Sequence, residues 1–127
     1  MTDIEHFLTR HHDHLAAWLR DGERDRLDAF LTAHHDEFTL VTTEGDVLAL
    51  PALRQALDRA GGSSPGLVIE LDRITAVTDQ VHRFVERHRV DGSLVAERIV
   101  TAVLGGPHLD GALPDGALLT VQETART

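Results

Sequence analysis

The period of the hydrophobic pattern changes once along the chain, close to Gly66. Before that point, apolar residues recur every three or four positions, which is typical of one face of an amphipathic helix. After it, apolar and polar residues alternate, which is the period of a half-buried β-strand. The pattern therefore predicts an α+β protein in which most of the helical structure precedes a sheet.

Turn and capping residues divide this pattern into segments. Glycines follow the first and third helical segments, where they can adopt the left-handed conformation that ends a helix. Short turns separate most of the later strands, which predicts an antiparallel meander. We expect the order α-α-β-β-α-β-β-β-β, with three helices covering a curved, cone-shaped antiparallel sheet. The predicted helices are Ile4–Leu19, Glu23–Ala33 and Pro51 to Gly61, and the predicted strands are Phe38–Val41, Val47–Leu48, Leu67–Val77, Val81–Val90, Leu94–Leu104 and Ala117–Thr124.

The length of the chain, 127 residues, fits one domain over residues 1–127. The first residues lack the basic and apolar regions of a signal peptide. No apolar run approaches the roughly 20 residues that a membrane helix needs. The formal net charge of −9 argues against a nucleic-acid partner and against an anionic membrane surface. We therefore expect a cytoplasmic protein.

Missing residue types limit the available chemistry. The chain has no Cys, Lys, Tyr or Asn, which excludes thiol nucleophiles, disulfides and lysine Schiff bases. The serines, Ser63, Ser64 and Ser93, stand beside glycines or in predicted turns, and none lies in a G-x-S-x-G motif. Chemistry is left to His, Asp, Glu and Arg, or to a bound metal or cofactor. Our leading hypothesis uses no cofactor.

Charge pairing predicts the register of the hairpin formed by Val81–Val90 and Leu94–Leu104. A three-residue loop, Asp91 to Ser93, places Glu86 opposite Arg98 and Arg87 opposite Glu97. A two-residue loop would place Glu86 opposite Glu97, which like-charge repulsion disfavours. We therefore predict the three-residue loop.

Both faces of this hairpin mix apolar and charged residues, so neither is simply a core face. A curved sheet with a partly polar pocket on one side and a partner subunit on the other would explain the mixture. The sequence does not decide which face is inside. One face carries Phe84, Glu86, His88, Ala96, Arg98, Val100 and Ala102, and the other carries Val85, Arg87, Arg89, Val95, Glu97, Ile99, Thr101 and Val103.

The order of elements resembles the nuclear-transport-factor-2-like superfamily, and within it the SnoaL-like proteins and domains of unknown function. The resemblance covers nearly the whole chain. It is carried by fold-level patterns over residues 35–46, 84–87, 97–104 and 121–124. It implies a cone fold with a small-molecule pocket, often in a homodimer, and members include ketosteroid isomerases, polyketide cyclases, dehydratases and non-catalytic binding domains.

The isomerase residues of that superfamily do not carry over to this chain. Ketosteroid isomerases use a tyrosine on the first helix and two inward acids. This chain has no tyrosine. At the hairpin position where an acid would be expected, it has Thr42 and Thr43.

Residues of the helices and of the central hairpin supply the candidate site. An inward arginine could stabilise an oxyanion or hold an anion while a buried Glu or His acts as a base. The alternatives are a cross-strand ion pair for Glu86 and Arg98, a solvated helix-edge histidine for His14, and a core position for Trp18. The predicted catalytic residues are His14, Glu86 and Arg98, and the predicted ligand-binding residues are Trp18, Phe38 and Phe84.

Several histidines in the first helix and just after the second raise the question of a metal. His11 and His14 are an i, i+3 pair, to which His34, His35 or Asp36 could add ligands. The sequence has no H-E-x-x-H motif. We therefore expect no metal, and a metal-dependent enzyme is the weaker alternative.

Two functional hypotheses follow. The leading one is a cytoplasmic homodimeric domain, paired through its outer sheet face, that binds a small, largely apolar molecule. As an enzyme it would isomerise, cyclise or dehydrate a carbonyl-type substrate by His/Glu acid–base chemistry. The other is a non-catalytic interaction or scaffold domain.

Overall fold

A computed structural model describes residues 3–105 and 116–125 of the chain. In these residues, three helices and six strands occur in the predicted order. None of the described helices is both long and apolar enough to cross a membrane. The elements are α1 (Asp3–Asp21), α2 (Arg24–Thr32), β1 (His34–Val41), β2 (Val47–Ala49), α3 (Leu50–Asp58), β3 (Leu67–Ala76), β4 (Val81–Val90), β5 (Ser93–Leu104) and β6 (Leu118–Ala125).

The described strands form one open sheet in the order β2-β1-β6-β5-β4-β3. Neighbouring strands are antiparallel except for β1 and β6, which run parallel, with Leu40 opposite Val121. The sheet is therefore mixed, because the last strand in the sequence, β6, pairs in parallel with the first, β1. The predicted α+β fold class is confirmed.

The helices pack on one face of the sheet and bury a single large apolar cluster against it. Its most enclosed side chains include Leu8 of α1, Leu27 of α2 and Phe38 of β1. Phe84 of β4 and Val100 of β5 complete it from the sheet. The helices thus cover the face of β4 and β5 that carries Phe84, and this is the inner face that the sequence could not identify.

The pairing of β4 with β5 is as predicted, with Glu86 opposite Arg98 and Arg87 opposite Glu97. The predicted three-residue loop is wrong. Val90 pairs with Ser93, so the turn has two residues, Asp91 and Gly92.

An extra residue in β5 reconciles the short turn with the predicted pairs. Arg89 pairs with Leu94 and His88 pairs with Ala96, which leaves Val95 as a bulge. Both turn residues have positive φ, 50° at Asp91 and 85° at Gly92. This is the two-residue hairpin geometry that Asp-Gly favours.

Strand β1 begins at His34, four residues before the predicted start at Phe38. His34 pairs with Leu118, and an irregularity follows before Thr39 resumes pairing with Thr120. Three consecutive residues between them, His35, Asp36 and Glu37, are polar and exposed, so the period-2 signal is lost in the sequence. The predicted loop between β5 and β6 lies mostly outside the described residues.

Replacing Gly92 with Ala should destabilise the hairpin by about 1 kcal/mol, because an L side chain is strained at this φ while no neighbouring atom lies in its way. Gly92→Asn is the matched control and should cost less, because Asn tolerates the left-handed region. Urea unfolding measures both changes in the free energy of unfolding. Equal losses in the two variants would contradict a turn set by backbone strain.

Candidate functional site

A cavity of about 230 Å³ lies between the helices and the inner face of the sheet. Most of its wall is apolar, with leucines from α1 and α3 facing Phe84 and Val100 of the sheet. Phe30 and Phe38 line it as well. A cavity of about 150 Å³ with such a lining holds a benzene molecule, so this space accommodates a ring with several further atoms.

Ionisable side chains also line this apolar space, and they come from both sides of it. The helix α1 contributes two adjacent histidines, the start of β1 contributes one, and the three central strands contribute the others. Together they are His11, His12, His34, Glu86, His88, Arg98 and Glu123.

His12 and Glu86 form the contact that joins α1 to the sheet. Nδ1 of His12 lies 2.8 Å from the carbonyl oxygen of Leu8. Because a carbonyl can only accept, Nδ1 carries a proton and donates it there. Nε2 lies 3.0 Å from Oε1 of Glu86, so a second proton must lie between these two atoms. The pair is therefore either an imidazolium with a carboxylate or an imidazole with a carboxylic acid.

The electrostatics favour the ionic form of this pair. Burial opposes protonation of His12, but the charge of Glu86 and its hydrogen bond outweigh burial and raise the pKa of His12. Burial likewise raises the pKa of Glu86, but the charge and hydrogen bond of His12, then those of His88, lower it below its usual value. Only 4% of Glu86 is exposed, so this is a buried ion pair.

The second oxygen of Glu86 faces the strands. Oε2 lies 2.5 Å from Nε2 of His88 and 3.9 Å from Nε of Arg98. The carboxylate accepts, so Nε2 of His88 carries a proton and donates it to Oε2. In a neutral imidazole with its proton on Nε2, Nδ1 is the nitrogen that can accept a proton. A carboxylate that fixes an imidazole in this way is a common arrangement for a general base.

Arg98 lies between two carboxylates. Its Nη1 donates to Oε2 of Glu123 at 3.1 Å, while its Nε approaches Glu86. Burial raises the pKa of Glu123, and this outweighs the opposing charge of Arg98. The two acids on the cavity wall therefore differ: Glu86 holds its charge firmly, and Glu123 takes up a proton more readily than an ordinary glutamate.

His11 and His34 are neutral. Burial, followed by the charge of His12, lowers the pKa of His11 well below its usual value. Burial lowers the pKa of His34 to about 4. Among residues 3–105 and 116–125, no group of three His, Asp or Glu side chains could hold a metal ion.

Four of the six predicted site residues line the cavity together. They are Glu86, Arg98, Phe38 and Phe84. The predicted pairing of Glu86 with Arg98 holds the two near each other, but His12 and His88 are closer to Glu86 than Arg98 is.

His14 lies outside the cavity, which corrects its predicted place in the site. Arg26 donates from Nε to Nδ1 of His14 at 2.8 Å, so this histidine joins α1 to α2. Burial, followed by the charges of Arg26 and Arg10, lowers the pKa of His14.

Trp18 is a core residue and does not line the cavity, which corrects its predicted role as a ligand wall. Its Nε1 donates to the carbonyl oxygen of Leu57 at 2.8 Å. Its ring lies so close to Gly61 that a Cβ there would approach it to 2.5 Å. The guanidinium of Arg24 covers the ring at 4.7 Å from its centre. The indole thus holds the segment after α3 against α1.

Sequence reasoning missed His12, although a helical signal for it was present. The cavity-facing stripe of α1 runs through Leu8, Leu15 and Leu19, and His12 lies four residues after the first of these. The prediction instead followed the stripe from Phe7 through His14 to Trp18, which is turned toward the neighbouring helix. His88 and Glu123 share the inner face with Glu86 and Arg98, so their placement followed once that face was known.

Solved structures with the same architecture include one that is closely superimposable. An NTF-2-like protein of unknown function from Pseudomonas aeruginosa has 27% sequence identity and a TM-score of 0.85, covering 98% of this chain and 99% of that one. The sequence matches no protein-family model and no curated protein. The chain has the fold of the nuclear-transport-factor-2-like superfamily. The resemblance predicted from the sequence is confirmed.

More distant members of the superfamily share only the fold. A proposed isomerase of the SnoaL-like family from Agrobacterium tumefaciens has 15% identity and a TM-score of 0.65, covering 92% of this chain and 95% of that one. An NTF2-like protein of unknown function from Exiguobacterium has 17% identity and a TM-score of 0.61, covering 94% and 97%. These structures therefore establish the fold alone, and this chain's own residues must account for its chemistry.

Replacing Glu86 with Gln should lower the pKa of His12 below its ordinary value, because burial would act without the opposing carboxylate. Titration of the imidazole signals by NMR measures this change. Glu70→Gln is the matched control, since Glu70 pairs with Arg89 on the outer face and should leave His12 unchanged. An unaltered His12 titration in Glu86→Gln would rule out the buried ion pair.

Acid should destabilise the protein through His34. The unfolded chain binds a proton at this residue below pH 6.5, whereas the native pKa is lowered to about 4. The contribution of His34 to the free energy of unfolding is therefore fully present above pH 6.5. It is lost as pH falls toward 4, by up to about 3 kcal/mol. Urea unfolding between pH 7 and pH 5 should show a shallower loss in His34→Gln than in the wild type. The exposed His35→Gln is the control, and equal pH slopes in all three proteins would contradict the assignment.

Proposed function

We propose that the protein binds a small, largely apolar molecule in the cavity and moves a proton on it, as an isomerase, cyclase or dehydratase acting on a carbonyl-type substrate. The observation that supports this most is a chain of two contacts on the wall of an apolar cavity, in which buried Glu86 binds His12 with one oxygen and His88 with the other. Perturbed ionisable groups that converge on a cavity are typical of catalytic sites.

A contribution to stability alone is a poor explanation for these contacts between His12, Glu86 and His88. Burying an ion pair removes hydration that the mutual attraction repays only with good geometry, and apolar residues of similar volume are often as stable or more so. The outer face of the same hairpin shows the cheaper arrangement, in which Arg87 pairs with Glu97 and Asp72 near solvent. Proton transfer gives the inner charges a role that packing does not require.

His88 is the proposed base, and Glu86 orients it. A carboxylate whose pKa is lowered takes up a proton weakly, so Glu86 serves to hold the proton of His88 on Nε2 and leave Nδ1 free to accept. His12 holds Glu86 in its charged form from the other side. This assigns the base to a histidine that the sequence placed on the same hairpin face as Glu86 and Arg98, without naming it as catalytic.

Arg98 would stabilise negative charge on the carbonyl oxygen of the substrate, and Glu123 would return a proton to the substrate. When the base removes a proton from the carbon next to a carbonyl, the electron pair moves to the carbonyl oxygen. The guanidinium of Arg98 supplies positive charge for that oxygen. Glu123, whose pKa is raised, can return a proton to a different atom, which completes an isomerisation.

The alternative role is a non-catalytic interaction domain. Val68 of β3 and two residues of β5, Leu94 and Val95, favour it, because about half or more of each is exposed and exposed apolar patches are typical of interaction surfaces. The homodimer predicted through the outer sheet face stays a prediction. A dimer would be compatible with either role, so only a test of the cavity separates them.

Hydrogen–deuterium exchange on small ketones tests the proposed function without knowledge of the natural substrate. Wild-type protein in D2O should accelerate exchange at the α-carbon of 2-cyclohexenone or 1-indanone, followed by proton NMR. His88→Gln and Glu86→Gln should reduce the acceleration by roughly 100-fold or more, the usual contribution of a general base.

His6→Gln is the matched control, because His6 lies on α1 with an exposed side chain. It should leave the exchange rate unchanged. Wild-type protein that gives no acceleration with either ketone, or His88→Gln protein that exchanges as fast as wild type, would overturn the proposal and favour the interaction domain.

A further inference from the structure

His11 has an unsatisfied nitrogen inside the protein. Only 4% of the residue is exposed, and Nδ1 is enclosed with no hydrogen-bond partner among the described residues. The imidazole is stacked between Phe7 and Phe30, with ring centres 5.7 Å and 4.2 Å away and planes within 15°. A phenylalanine would fill this slot without burying an unpaired polar atom. The proton transfer proposed above makes no use of His11.

The enclosure of Nδ1 indicates the tautomer. Buried N–H groups without a partner are rarer than acceptors without one, so Nδ1 carries no proton and the N–H is on Nε2. Nδ1 is sealed by protein, which leaves Nε2 as the nitrogen that a ligand can reach from the cavity that His11 lines. The same burial keeps the imidazole neutral by lowering its pKa, so it offers a donor without a charge.

Aromatic rings surround this end of the cavity. His34 meets Phe38 at 4.4 Å between ring centres with planes at 72°. His12 meets Phe84 at 5.4 Å and 81°. Rings at such distances and angles also accept a further flat ring among them. We call this part of the cavity its closed end, because it is lined by three buried phenylalanines, Phe30, Phe38 and Phe84. Elsewhere on the cavity wall, Arg98 and Glu123 are partly exposed.

We infer that the closed end is a separate binding subsite, in which His11 donates a hydrogen bond to an uncharged acceptor on a flat, ring-bearing ligand. The inference rests on the proposed ligand-binding function and adds the ligand class: a cyclic or aryl compound whose carbonyl or ether oxygen enters first. His11 is then a residue that determines specificity and takes no part in the proton transfer.

A matched pair of probes tests the subsite. Acetophenone and ethylbenzene have similar shapes and differ in the oxygen that His11 would bind. By NMR titration, wild-type protein should bind acetophenone about 3- to 10-fold more tightly, the effect expected of one net hydrogen bond. His11→Phe keeps the stacked ring and should abolish this preference, while binding of ethylbenzene is kept. His6→Phe, at an exposed position of the same helix, should preserve the preference.

The wild-type protein also provides a test that needs no variant. Nitrogen-15 spectra of the histidine side chains should show the Nε2–H tautomer of His11, and the Nε2 signal should shift with acetophenone but not with ethylbenzene. This measurement decides the matter if His11→Phe does not fold. An Nδ1–H tautomer, equal affinity of wild type for the two probes, or binding of neither probe would overturn the subsite.

Glu86→Gln separates this inference from the proposed function. It should lose ketone exchange and still prefer acetophenone. A protein that exchanges ketone protons with no such preference would retain the proposed function and lose the subsite. A protein that shows the preference without exchange would retain the subsite and lose the catalysis.

Discussion

An ionised carboxylate loses several kcal/mol of hydration when it is buried, and Glu86 must regain this free energy from donors that other parts of the chain bring to it. His12 comes from α1, His88 from the same strand and Arg98 from the next strand. A shift of α1 by one residue would turn its side chains by about 100° and take His12 away from the carboxylate. The rotation of α1 against the sheet is therefore fixed by charge as well as by leucine packing.

The ion pair also decides which histidines are charged. His11, His12 and His34 lie close together, with ring centres of His11 within 5.4 Å of the other two. Like charges at such distances repel strongly in a low-dielectric interior. At most one of the three imidazoles can therefore favourably bind a second proton and become positively charged. Glu86 assigns that proton to His12, and the positive charge there helps to keep His11 neutral. A charged pair and neutral donors thus lie side by side in one cavity.

The sequence predicted the fold well because its strongest signals are local periods and opposite charges. The pairs Glu86 with Arg98 and Arg87 with Glu97 were found although the turn was wrong, since the bulge at Val95 restores the register that a two-residue turn would shift. The inner face could not be predicted, because both faces carry ion pairs and only the packing of α1 chooses between them. His12 was missed in favour of His14 for the same reason. On a helix with four histidines, a small rotation decides which of them meets the sheet, and that rotation depends on Glu86, more than 70 positions later in the sequence.

The fold alone does not determine chemistry, and the closely superimposable protein from Pseudomonas aeruginosa is itself of unknown function. A binding cavity differs from a packing defect in that its polar atoms can bind a ligand or act on it. Here the atoms fall into two groups. Arg98, Glu123 and His88 are partly exposed, and His11 is sealed among phenylalanines. A molecule that binds as proposed, with its oxygen at His11, would lie in the cavity in one direction. The buried charge of Glu86 suits the proposed proton transfer better than simple storage of an apolar ligand, because storage would not need a buried charge.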